Sequence, residues 1–302
     1  MRRVVRGFWG PREESAEALA GRWKLTLDRL AGLLPVVGSD SALGSGAAGS
    51  RPSGFRDPGS DSDSGSDSDS GSDSDSGSDS DSGSVSGSGA DAPLTSPWTW
   101  RNVTASGPVT ELRPDEASLL AALRAAQAAD GWSDRTGCAL RLVVEGGPGW
   151  KIEVSGLAGG TPEFLLQSMV IGVSSPDEAG TPEPGIPEAE FPDAELLSIV
   201  AELWEPDFGG VTDDDVLDAL EDDAGFAPDE PSVGWIGYLS PGRAALLPED
   251  LAAVARTDVR GGGALLVLAA RGDTEDVLRA NLWLREAGAL RPLPRPMDRA
   301  AL

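Results

Sequence analysis

The feature that most limits how this chain can fold is a tract at residues 59–82. It consists of four copies of Gly-Ser-Asp-Ser-Asp-Ser inside a Gly/Ser-rich stretch that runs from residue 38 to residue 91. Such a segment has too few apolar side chains to offset the entropy of ordering it, and its carboxylates repel one another. We therefore predict a disordered insertion at residues 38–91. A passive insertion is favoured over a cation-binding or phosphorylated tract, because low-complexity composition alone specifies no function.

The chain on either side of this insertion has the composition of a globular protein. Residues 1–37 and 92–302 together provide about 250 residues, a length that suits one domain or two small ones. We expect residues 1–37 to supply a strand and a helix, and residues 92–302 to supply the remainder of the same domain.

Acidic residues are concentrated in two segments that contain no lysine or arginine. Residues 57–91 contain ten acidic residues and residues 152–242 contain 21, in a chain whose formal net charge is −26. Nucleic acids and anionic membranes are bound through clustered basic residues, which this chain lacks. We therefore expect neither as a partner. A long block of like charge instead favours a protein partner with a basic surface.

Histidine is absent and the chain has a single cysteine, Cys138. Ser-His-Asp and Cys-His catalytic sets are therefore excluded, as are zinc sites built from His and Cys. The sequence predicts no cofactor and no bound metal, although metal-dependent hydrolysis by paired carboxylates stays open as an alternative. One cysteine allows no internal disulfide, and no segment has the features of a signal peptide or a membrane span. These features together predict a cytoplasmic protein.

The spacing of apolar residues predicts an α+β fold with a mostly antiparallel mixed sheet and flanking helices. The predicted helices are residues 15–34, 114–130, 193–204 and 274–287, with a further helix that begins at Thr212. The predicted strands are residues 4–9, 97–103, 139–145, 150–154, 165–173, 233–239 and 263–270. The pair 139–145 and 150–154 is the clearest hairpin, because alternating apolar residues flank a Gly/Pro turn. Trp23, Trp150 and Trp283 lie on apolar stripes and are predicted core residues.

The densest acidic residues lie on the helix predicted to begin at Thr212, and two more precede it. Carboxylates in a first turn suit the positive end of the helix dipole, but those in the last turn oppose the dipole, so stability alone does not explain the pattern. We interpret the group as a partner-binding surface that mimics polyphosphate; a solvated helix face is the alternative. The predicted partner-binding residues are Glu205, Asp207, Asp213, Asp214, Asp215, Asp218, Glu221, Asp222 and Asp223.

Three segments of the chain form a recognisable set: RGFWGPREESAEALAGRWKLTLDRLAGL at residues 6–33, ELWEPDFG at 202–209 and VGWIGYLSP at 233–241. In pattern and order they resemble the immunity protein 52 family of bacterial polymorphic toxin systems. The resemblance implies a cytoplasmic α+β protein without enzymatic activity that binds and neutralises a cognate toxin. Toxins associated with the family have the restriction-endonuclease fold, which implies a nuclease with a basic cleft.

No binding site of the family carries over to individual positions of this chain. Trp9, Gly10, Arg12, Trp204 and Tyr238 are expected to determine the fold rather than to contact a partner. Two other classes of function stay open: a metal-dependent carboxylate hydrolase, and a non-catalytic interaction or scaffold protein that uses the Ser-Asp tract.

Overall fold

Within the described part of the chain, ten strands form a single sheet in which every neighbouring pair is antiparallel, and six helices flank it. The predicted α+β class is therefore confirmed. The computed structural model describes residues 2–33, 98–104, 107–129, 137–146, 150–160, 166–174, 192–227, 230–247 and 255–293. All of these residues belong to one compact unit, so the N-terminal segment and the chain after residue 96 fold together. The predicted insertion at residues 38–91 lies outside the described residues.

The strand order across the sheet is β3-β2-β4-β5-β6-β1-β7-β8-β10-β9. The strands are β1 (Arg3–Trp9), β2 (Thr99–Asn102), β3 (Thr110–Leu112), β4 (Cys138–Gly146), β5 (Trp150–Ala158), β6 (Gln167–Ser174), β7 (Phe208–Thr212), β8 (Ile236–Leu239), β9 (Ala255–Asp258) and β10 (Ala264–Val267). The helices are α1 (Ala16–Leu33), α2 (Glu116–Ala129), α3 (Asp193–Trp204), α4 (Asp214–Asp222), α5 (Pro241–Ala244) and α6 (Thr274–Glu286). The first strand of the chain thus lies near the middle of the sheet.

One face of the sheet packs against α1, α2 and α3. Side chains alternate between the faces of a strand, and in β1 every second residue, including Val5 and Trp9, is buried on this helical side. Gly7 lets α3 approach, since a Cβ there would lie 2.8 Å from Val200 Cγ1. Trp23 of α1 is 1% exposed and packs at the centre of this layer. Burial of these large apolar side chains is the main contribution to stability.

On the opposite face, residues 231–235, which we call the strap, cross β7 and cover the centre of the sheet. Gly234 makes the crossing possible, because a Cβ at this position would lie 1.6 Å from Val211 O. Asn281 of α6 holds the strap in place and is fully buried. Its Oδ1 accepts a hydrogen bond from Val233 N at 2.9 Å, and its Nδ2 donates to Val233 O at 2.8 Å. Helices α4 and α6 pack together beside the strap.

The structure corrects three details of the predicted elements. Thr212 does not begin a helix: it is the last residue of β7, a short strand that the sequence did not reveal. The predicted strand at residues 233–239 begins only at Ile236, because the preceding residues form the strap. The short edge strands β3 and β9 were also not predicted. None of the described helices has the length and apolar character that a membrane span requires.

The tryptophans are mostly internal. Trp23 is buried as predicted, and Trp283 is partly buried against the core. Trp9, Trp98 and Trp100 are each less than 5% exposed. The prediction for Trp150 concerns a side chain outside the described part of the structure.

Candidate functional site

Asp213 caps the helix that carries most of the predicted partner-binding residues. Its backbone is extended, with φ −135° and ψ −179°, and its side chain accepts a hydrogen bond from Val216 N at 3.1 Å. An N-cap carboxylate satisfies an amide that the first turn would leave unpaired. Because Asp213 is only 1% exposed, its carboxylate belongs to the helix cap and not to a surface.

Five acidic residues lie on one face of α4, which we call the α4 acidic face: Asp214, Asp215, Asp218, Glu221 and Asp222. Successive residues of an α-helix are about 100° apart, so these five lie within an arc of about 120°. All five are exposed, whereas Val216 and Leu220 on the opposite side are 1% and 2% exposed. Asp223, the C-cap, is also exposed but lies outside the arc.

The α4 acidic face lacks compensating positive charge. None of its five carboxylates forms an ion pair with any described residue. The basic residues of the neighbouring helix α6 are engaged elsewhere. Arg279 pairs with Glu275 at 3.0 Å, and Arg285 pairs with Glu230 at 3.8 Å and lies 4.2 Å from the centre of the Phe226 ring. The face therefore presents a concentrated negative potential to the solvent.

Glu205 and Asp207 lie apart from the α4 acidic face, at the opposite end of β7. A five-residue strand spans roughly 14 Å, so the structure places the two groups on different parts of the molecule. Glu205 is the C-cap of α3, and its carboxylate lies 3.6 Å from Arg12 Nη1. Asp207 Oδ2 accepts a hydrogen bond from Gly10 N at 3.2 Å. Glu205 thus lies beside a positive charge, whereas the Asp207 carboxylate is held by a backbone amide.

Two arginines donate hydrogen bonds to the last carbonyl groups of α3. Arg12 Nη2 donates to Trp204 O at 2.7 Å, and Arg22 Nη1 donates to Leu203 O at 2.9 Å. Cations are favourable at this end of a helix, because the last carbonyls carry partial negative charge. Glu14 links the two arginines, since its Oε1 lies 3.3 Å from Arg12 Nε and 2.7 Å from Arg22 Nη2.

Tyr238 and the tryptophans close the same region. The Trp9 and Trp204 rings stack with 5.7 Å between their centroids. Tyr238 is 4% exposed. Burial raises the pKa of its phenol, and the nearby carboxylates of Glu205 and Asp207 raise it further. Together with Gly10 and Arg12, these residues connect β1, α3 and β8.

The described residues offer no constellation for metal or covalent chemistry. No three Cys, Asp or Glu side chains in the described ranges converge as a metal site requires. Cys138, the single cysteine of the chain, is buried at 5% exposure. A cavity of about 570 Å³ beside β4 and α2 is lined mostly by small residues, and its charged member, Arg141, is paired with Glu153.

Comparison of the sequence with known protein families found no match. A comparison with curated proteins likewise found no similar sequence.

The three segments that carry the resemblance meet at the centre of the sheet. β1 pairs with β7 so that Gly7 lies opposite Gly209 and Phe8 opposite Phe208. β7 in turn pairs with β8, with Gly209 opposite Tyr238. Segments separated by about 200 residues in the chain are thereby adjacent strands. Because these strands are adjacent, their small and aromatic residues lie opposite one another across the sheet.

Proposed function

We propose that this protein is an immunity protein that binds and neutralises a cognate toxin of a polymorphic toxin system through the α4 acidic face. The observation that supports this most strongly is the set of five exposed carboxylates on one arc of α4 without ion-pair partners among the described residues. Residues that served only solubility would need no such concentration, and the repulsion between i and i+4 carboxylates slightly weakens the helix.

The charge density of this face suits a partner that handles nucleic acid. From Asp214 to Asp222 the helix rises about 12 Å, which gives roughly one negative charge per 2.4 Å. Duplex DNA carries about one charge per 1.7 Å of its axis. A cleft that binds DNA through basic side chains would therefore attract the α4 acidic face over the same distance. We infer that the toxin is a nuclease, as the resemblance to the immunity protein 52 family implies.

In this proposal the protein acts in the cytoplasm and has no enzymatic activity. It blocks the toxin by occupying the toxin's basic cleft, and electrostatic steering accelerates the association. Asp213 contributes by fixing the start of the helix, whereas Glu205 and Asp207 contact Arg12 and Gly10 at the other end of β7.

Charge reversal on α4 tests the proposal. We expect the triple variant Asp214→Lys, Asp218→Lys, Asp222→Lys to weaken binding to the toxin by at least about 100-fold, since several charge pairs are lost and replaced by repulsion. Binding would be measured by calorimetry at two salt concentrations, with the nuclease-like C-terminal domain of a secreted protein encoded beside this gene. Rescue of cells that express the toxin provides a second measurement.

The matched control carries the same change in charge on other parts of the surface. Glu13, Glu111 and Glu116 are exposed and lie outside both α4 and α6, so reversal of these three to Lys alters the net charge by the same amount. We expect this variant to bind within about threefold of the wild type, because remote charges are screened beyond about 10 Å. Equal losses in both variants would show that net charge, and not the α4 acidic face, governs binding. Full protection of toxin-expressing cells by the α4 variant would show that the α4 acidic face is not the binding surface.

A further inference from the structure

Arg6 is a positively charged residue without a counter-ion among the described residues. It lies in β1 near the middle of the sheet, between Val170 of β6 and Gly210 of β7. Its side chain points to the face on which the strap lies, where Nη2 donates to Ser232 Oγ at 2.8 Å. Arg6 Nε is buried and has no hydrogen-bond partner in the part of the chain that the structure describes.

Three other buried or partly buried arginines have a carboxylate partner, whereas Arg6 has none in the described ranges. No carboxylate in the described part of the chain lies within ion-pair distance of Arg6. The comparable pairs are Arg3 with Asp193, and Arg12 and Arg22 with Glu14, while Arg243 instead donates to Ala289 O and lies over the Phe208 ring. With 50 acidic and 24 basic residues, the chain has ample carboxylates to neutralise one more arginine. The missing partner at Arg6 is therefore a local property of the site.

Arg6 remains charged at neutral pH although burial is unfavourable for its charged form. Burial lowers the pKa of its guanidinium to about 10, which still leaves it protonated at pH 7. The Phe8 ring, whose centroid lies 5.8 Å from Arg6 Cζ, offers only a weak electrostatic contact. A buried charge without a partner destabilises a fold, and an apolar residue of similar length would fit the same space.

Ser232 supplies a second donor at the same place. Ser232 as a whole is 7% exposed, and its Oγ accepts the hydrogen bond from Arg6. A hydroxyl that accepts one hydrogen bond keeps its own hydrogen available to donate. The guanidinium and the hydroxyl thus offer charge-assisted donors of the kind that carboxylates and phosphates bind.

We propose that Arg6 and Ser232 form a binding site for a single oxyanion, either a carboxylate or a phosphate group. The bound oxyanion neutralises the guanidinium and accepts hydrogen bonds from both side chains. This site is separate from the α4 acidic face. It lies on β1 and the strap, and it binds a negatively charged group, whereas the α4 acidic face suits a basic partner.

Thermal unfolding at constant ionic strength tests the site with phosphate and with acetate as probes. We expect either anion to raise the Tm of the wild type saturably, since a ligand that binds only the folded state stabilises it. Arg6→Met should weaken the apparent affinity by at least about tenfold, and Ser232→Ala by about threefold. Stabilisation by acetate identifies a carboxylate as the natural group, and stabilisation by phosphate alone identifies a phosphate.

Arg2→Met is the matched control, because Arg2 precedes the same strand, is exposed and carries the same charge. This variant should keep the full anion response. The Arg6 Nε–Hε resonance, followed by NMR, should shift with the same apparent affinity as the thermal response. A wild type that does not respond to either anion overturns the proposal, and so does an Arg6→Met variant that responds like the wild type.

Discussion

Glu205 shows how a single residue can occupy an unfavourable backbone conformation at the end of a helix. It has φ 47° and ψ 55°, the left-handed region, and follows the last residue of α3. Glycine is the residue best suited to this position, because a Cβ in the left-handed region is crowded by the backbone. Among the described residues, the compensating contact is the ion pair with Arg12 at 3.6 Å, and the Glu205 side chain is 71% exposed.

We therefore expect Glu205→Gly to stabilise the protein, or to leave its stability unchanged. The relief of backbone crowding is worth about 1 kcal/mol, and loss of an exposed ion pair costs at most about 0.5–1 kcal/mol. Urea unfolding of the purified variant would measure the difference. Glu205→Ala is the control, since it loses the ion pair but keeps the crowding, and it should be the less stable of the two. A Glu205→Gly variant that unfolds more easily than Glu205→Ala would contradict this explanation.

At the scale of the elements, the crossing of the strap over β7 depends on one glycine. Gly234 lies so close to β7 that an added Cβ would meet Val211 O at 1.6 Å, and the atom it meets belongs to the backbone. Backbone atoms in a central strand cannot move aside without breaking hydrogen bonds to neighbouring strands. Asn281 holds the strap to α6 through hydrogen bonds with both the N–H and the C=O group of Val233.

We expect Gly234→Ala to destabilise the protein by about 3 kcal/mol or more, because the strap must lift from the sheet. Gly21→Ala in α1 provides the opposite control. A Cβ at Gly21 has no atom within 4 Å, and alanine favours a helix, so this variant should gain about 0.5–1 kcal/mol. Chemical denaturation of both variants measures the contrast. Similar stabilities for the two would show that the strap can shift at little cost.

At the scale of the whole molecule, the negative charge is distributed unevenly between parts with different roles. Residues 57–91, which include the Ser-Asp tract, contribute ten acidic residues in a segment that the sequence predicts to be disordered. Among the predicted partner-binding residues, the five of the α4 acidic face form no ion pair with a described residue, whereas Glu205 pairs with Arg12 at the end of α3. Only the first group suits a docking surface.

We expect a variant that lacks residues 57–91 to fold and to bind the toxin within about threefold of the wild type, because charges distant from the binding surface are screened. Its Tm should be equal or slightly higher. Halving the length of a flexible connection lowers its closure entropy by only about 0.6 kcal/mol. Calorimetry of unfolding and of toxin binding would test both expectations. Loss of binding would instead favour the interpretation as a scaffold that uses the tract.

Apolar periodicity in the sequence was sufficient to predict the fold class and most elements, because burial on one face imposes a period of two in strands and of 3.6 in helices. The hairpin of β4 and β5 and helix α1 are examples. β7 was missed, since it contains Gly209 and Gly210 and is buried on both faces, so no alternation marks it. Without that alternation, the sequence predicts a helix start at Thr212, which is the last residue of β7.

What the amino-acid sequence alone determined is the sign and location of the charge, the exclusion of histidine chemistry and the α+β class. The tertiary structure alone decided which acidic residues act together. Local spacing places the α4 carboxylates on one arc, but only the folded sheet puts Glu205 and Asp207 beside Arg12 and Gly10 at the far end of β7. The tertiary structure also leaves Arg6 without a counter-ion among the described residues. Charge pairing depends on distances across strands that are remote in the chain, and no local pattern in the sequence encodes those distances.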